Sequence, residues 1–117
     1  MLLEELLKIA ADPHLIASAK QANLLLAELQ GYISELRADV SQLELEADLH
    51  HNKLMQQEKS IALKESEYKI SKEYREWQAK KGLLTDVRAV RRNLERHTDL
   101  LIQQEKFRPY GSYERAA

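Results

Sequence analysis

Cysteine is missing from this sequence altogether, and glycine (three), proline (two) and aromatic residues (6%) are scarce. Without cysteine there is neither a disulfide framework nor a thiolate metal site, and a reducing interior compartment is compatible with that composition. No apolar run approaches the roughly 18 residues needed to span a bilayer. The opening MLLEELLKIAA is apolar, yet it carries Glu4 and Glu5 and has no basic leading region, so it does not read as a secretory signal. Catalytic signatures are also missing: there is no Gly-rich phosphate loop, no nucleophile elbow and no HExxH pair. His50 and His51 are adjacent, so on a helix they point about 100° apart and cannot simply share a metal. The sequence predicts no enzyme, no metal and no cofactor.

What the chain does have is charge and helix formers. Ala, Leu, Glu, Lys, Gln and Arg dominate, and straight side chains lose little rotamer freedom in a helix. With 32% charged residues in 117, a compact monomer has little to bury. The composition points to long amphipathic helices that complete their core by pairing. The net charge of −1 hides an asymmetry: residues 1–60 hold ten acids and five bases, residues 61–117 nine acids and thirteen bases. A basic second half suits a polyanion, or an acidic first half within an oligomer.

Periodicity divides the chain. A short amphipathic helix over 1–12 ends at ADPH, where Asp12 is suited to cap a new helix with Pro13 in its first position. In the segment 13–82, Ala22, Leu26, Leu29, Ile33, Leu36, Val40, Leu43, Ala47, His50 and Leu54 alternate steps of four and three. That is a coiled-coil-like seam. After Leu54 the register continues through polar residues, and the apolar positions drift to Ile70, Tyr74 and Trp77. Gly82 reads as a stop, with a new cap at Thr85 or Asp86. A C-terminal assembly helix over 83–108 carries Val87, Val90, Leu94, His97 and Leu101 on its stripe and should end near Lys106, ahead of Pro109 and a frayed tail over 109–117. The expected fold is all-α, a helical hairpin completed by homo-oligomerisation. Its assembly residues are Leu26, Leu29, Ile33, Leu36, Val40, Leu43, Leu54, Val87, Val90, Leu94, Leu101, Ile102 and Phe107.

One stretch interleaves bases with aromatics. KSIALKESEYKISKEYREWQAKKG sets Lys59, Lys64, Lys69, Lys72 and Arg75 beside Tyr68, Tyr74 and Trp77. Lys and Arg neutralise phosphates, and exposed aromatic faces stack on bases. Glu58, Glu65, Glu67, Glu73 and Glu76 interrupt the bases, several at helical salt-bridge spacing, so a solvated face with its aromatics packed inward is the competing reading. A second basic set, Arg88, Arg91, Arg92 and Arg96, could bind phosphates or pair with an acidic neighbour.

LLIQQEKFRPYG, with Ile102, Lys106, Phe107 and Gly111, resembles the C-terminal end of the UvsY-type recombination mediators of tailed phages. QQEKSIALKESEYK resembles that family's basic Ala-Leu-Lys segment at Gln57, Lys59, Ala62, Leu63, Lys64 and Tyr68. The order of a short acidic helix before a longer one, with Tyr32 near its middle, also agrees. Where the family carries a second basic residue two places after the matched lysine, this chain has Ser66, and Lys69 or Lys72 lies one or two turns later. The resemblance implies a ring-like homo-oligomer that binds single-stranded DNA and helps a RecA-like recombinase displace single-strand-binding protein, in the cytoplasm of a phage-infected bacterium. A weak site repeated around a ring gains avidity along one strand, so each subunit can stay near neutral. The rival expectation is a coiled-coil adaptor or inhibitor that binds another protein and not DNA; a structural phage component would use the same helices.

Overall fold

The computed structural model describes residues 1–116; the side chains of Pro13 and of residues from 107 onward are outside the description. Four α-helices follow one another, with no strand among the described residues: α1 (Leu3–Ala11), α2 (Ala19–Met55), α3 (Ile61–Ile70) and α4 (Lys72–Ala116). The all-α expectation holds. No helix is long and apolar enough to cross a membrane among the described residues.

The helix ends follow from local chemistry. In α1, Glu4 and Glu5 lie in the first turn and Lys8 in the last, as the helix dipole favours. The Asp12 carboxylate accepts from the His14 amide at 3.1 Å, but what it caps is a single 3-10 turn over Pro13–Leu15. The expected long helix at Pro13 starts later, because Ser18 holds it. Its hydroxyl accepts from Gln21 N–H at 3.2 Å, while the Gln21 side chain accepts from Ala17 N–H and donates to Leu15 O. This is a near relative of the capping box. Similarly, the Ser60 hydroxyl accepts from Leu63 N–H at 3.2 Å and starts α3.

Ser71 separates α3 from α4 by serving both. Its backbone is extended, its hydroxyl donates to Tyr68 O at 2.5 Å, and the same oxygen accepts from Tyr74 N–H at 3.3 Å. Helix therefore stops after Met55 and again at Ser71, where no break was expected, and runs unbroken through Gly82, where one was. Gly82 has no positive φ, so it forms no left-handed cap. Leu84 and Val87 are buried just beyond it, and their packing outweighs a glycine cost of about 1 kcal/mol. The end expected near Lys106 is likewise not where α4 ends; the tail expectation falls on residues whose side chains are not described.

The chain divides into two compact units, one of residues 1–32 with 87–117 and one of residues 33–86. These cut across the expected segments 13–82 and 83–108, because antiparallel packing collects stretches far apart in sequence. In the first unit, Leu6, Ala10, Ala22, Leu25, Leu29, Val87, Leu94 and Leu101 are buried. Thr98 is buried too, and its hydroxyl donates to Leu94 O at 2.7 Å, so it is satisfied within its own helix. Ala19 N–H, at the start of α2, donates to the Glu105 carboxylate on α4 at 3.0 Å. The Tyr32 hydroxyl donates to Met1 O at 2.5 Å and ties the chain start to α2.

In the second unit, Asp39 faces Lys80 at 3.9 Å and His50 faces Glu73 at 3.8 Å. The opposed order of these pairs sets α2 and α4 antiparallel within this unit, with the reversal between Met55 and Lys72 and not at Gly82, where the sequence placed it. Ala47, Leu54 and Tyr68 form a cluster from α2 and α3, with Tyr74 and Trp77 of α4 packed against it.

Candidate functional site

Most of the candidate site lies in the second unit, where α3 and the start of α4 carry the basic-aromatic stretch. Its aromatics face inward. Tyr68 is only 9% exposed. Its ring lies 4.4 Å from His51 and 4.9 Å from Tyr74, which meets Trp77 edge-on at 6.1 Å. Burial, followed by the negative charge of Asp48, raises the Tyr68 phenol above its ordinary pKa. Tyr74 and Trp77 are half-buried, and the indole Nε1 is enclosed without a hydrogen-bond partner among the described residues. Lys81 sits 5.3 Å from the centre of the Trp77 ring. A base stacking on Tyr68 would first have to displace its neighbours. The three aromatics are brought together, as a core cluster and not as an open platform.

The cations divide into engaged and free. Lys59, between α2 and α3, pairs with Glu67 at 2.8 Å. The Lys64 ammonium donates to Met55 O at 2.9 Å and so closes the C-terminal end of α2, a stabilising place for a cation. Lys72 is exposed and lies 3.7 Å from Glu76 one turn on, a weak pair. Lys69 and Arg75 are exposed, and neither side chain has an ion pair among the described residues. The accessible positive set is thus Lys69, Lys72 and Arg75, seven residues spanning the break at Ser71.

The adjacent histidines have separate jobs. His51 Nε2 lies 2.8 Å from the Glu65 carboxylate on α3, and His50 faces Glu73 on α4. The two side chains point to different partners, as their adjacency on a helix requires, and they join α2 to the two following elements. Among the described residues no group of three His, Asp or Glu side chains is placed to hold a metal ion.

The residues assigned to assembly are placed differently from expectation. Leu29, Ile33, Leu36, Leu54, Val87, Leu94 and Leu101 are buried within a single chain, while Leu26, Val40, Leu43, Val90 and Ile102 are half-buried. A side chain already covered by its own hairpin offers little surface to a second copy. The Phe107 side chain lies outside the described residues. The large apolar residues left open include others: Leu24 on α2, Leu45 and Leu49 one turn apart further along it, Ile61, Leu63 and Ile70 on α3, and Leu100 on α4. The seam hid Leu45 and Leu49 from sequence reasoning, since they stand off its register. A shallow pocket in the same unit is lined by Leu43, Glu76, Ala79, Lys80 and Leu83.

Compared with known proteins, the chain matches no family model, and no curated protein or solved structure is significantly similar to it.

Proposed function

We propose that this chain is a non-enzymatic recombination mediator of the phage type. It binds single-stranded DNA as a homo-oligomer and promotes loading of a RecA-like recombinase in place of single-strand-binding protein, in the bacterial cytoplasm. The observation that carries this reading is the exposed group Lys69, Lys72 and Arg75 at the α3–α4 junction, with two of the three cations unpaired among the described residues. The resemblance of the preceding segment to the mediators' basic helix supports it. Lys59 and Lys64 contribute first to the fold, and the aromatic cluster backs the site from behind. Assembly then falls to the open leucines and isoleucines.

The inward-packed aromatics favour a second reading, a helical adaptor that binds another protein through Leu45, Leu49, Leu63 and Ile70 and does not touch DNA. Fluorescence anisotropy of a labelled single-stranded oligonucleotide, titrated at low and physiological salt with duplex as competitor, separates the two. The mediator binds the single strand in preference, and its affinity falls steeply with salt. An adaptor leaves the oligonucleotide free even at low salt.

A further inference from the structure

Arg88, Arg92 and Arg96 follow one another on α4 in steps of four, so they leave the same face of the helix about 6 Å apart along its axis. All three are exposed. The fourth arginine of this stretch, Arg91, is half-buried and pairs with Glu95, which removes the nearest carboxylate from the row. None of the three has an ion pair or side-chain hydrogen bond among the described residues. Asp86 and Asp99 lie near the two ends without pairing to them. Like charges at this spacing repel, so the row works slightly against the helix that carries it.

We infer that this ridge binds the phosphate backbone of a nucleic-acid strand, as a second contact in addition to Lys69, Lys72 and Arg75; the inference rests on the nucleic-acid reading above. Guanidinium groups grip phosphate oxygens through paired N–H donors and are weakly hydrated, which suits them to that role. A regular row of three matches a regular row of phosphates. The rest of the exposed surface between residues 85 and 99 is Thr85, Asp86, Asn93 and Asp99, with no large apolar side chain. A protein partner would need a broad apolar or aromatic centre to anchor on, whereas among the described residues the ridge has a single exposed large apolar neighbour, Leu100, 56% exposed at the next step of four beyond Arg96. Without an aromatic it has no surface for stacking a base, so it holds the backbone and is indifferent to sequence.

The test compares the full chain with R88Q/R92Q/R96Q and with K69Q/K72Q/R75Q, by anisotropy of a labelled oligo-dT over a series of salt concentrations. The arginine variant should bind about tenfold or more weakly at low salt. Its slope of log affinity against log salt should shrink by about 2, since each lost phosphate contact on a single strand contributes about 0.7. Its melting temperature should hold or rise as like-charge neighbours are removed, which separates lost binding from lost folding. Should the triple variant fail to fold, R92Q alone carries the test through a slope reduced by about 0.7. Unchanged affinity and slope in the arginine variant, with loss in the lysine variant, overturns the ridge and leaves the mediator reading standing. Absence of binding by the unaltered chain at low salt overturns both. Competition by polyglutamate as effective as that by oligo-dT of equal charge also overturns the ridge, in favour of an acidic protein segment.

Discussion

Tyr68 shows how one side chain can carry structure where its sequence context suggests binding. It lies among lysines, yet its ring fills space between His51 and Tyr74 against Ala47 and Leu54. Its raised pKa, from burial first and the Asp48 charge second, has a consequence for stability. In the unfolded chain the phenol loses its proton near pH 10, while in the folded chain it keeps it longer. Above about pH 10 the unfolded state therefore binds fewer protons, and stability falls as pH rises toward the folded value. Tyr68→Phe cannot ionise, so its melting temperature should drop less than that of the unaltered chain between pH 9 and pH 11. An equal drop in both would mean that Tyr68 is not the source of the alkaline sensitivity.

Two small residues act at the level of the element, and their effects run opposite to a simple reading of composition. Serine sets the boundaries: Ser18, Ser60 and Ser71 each accept a backbone N–H at a helix start, and Ser71 also closes the helix before it. Glycine does not. Gly31 and Gly82 are interior to α2 and α4, and a methyl group added at either would meet nothing within 4 Å. Alanine restricts the unfolded backbone and suits the helix better, so Gly31→Ala and Gly82→Ala should each stabilise by about 0.5–1 kcal/mol. Chemical denaturation measures this directly. Destabilisation at position 82 would mean that the glycine is needed for a bend or turn there.

At the scale of the whole chain, packing within each unit already covers most of the apolar seam, and the question becomes what a second copy would bury. Leu45 and Leu49 are each 54% exposed and lie one turn apart, on the side of α2 away from its seam. Full burial of two such side chains is worth about 1.5–3 kcal/mol each, enough to bias association. If the assembly uses this face, Leu45→Glu with Leu49→Glu should lower the mass seen by sedimentation equilibrium while leaving the thermal transition of the separated chain nearly unchanged. An unchanged mass would assign assembly to another surface, such as Leu63 and Ile70 on α3.

Composition and apolar spacing were enough to determine an all-α chain and the inward face of its main helix. Few turn-forming residues and a sustained alternation of three and four leave a helical chain little choice of which side to bury. Composition did not show which cations stay open, since glutamates at salt-bridge spacing lie among Lys59, Lys64, Lys69, Lys72 and Arg75 alike. Which chain would cover the seam was not legible, because a heptad pattern is satisfied equally by a hairpin and by a separate copy. Only the tertiary structure decided that: within each unit stretches of α2 and α4 pack together, and leucines expected at an interface are buried in a single chain. The same packing turns Tyr68, Tyr74 and Trp77 inward, since an aromatic side chain at the closed end of a hairpin gains more from burial than from water.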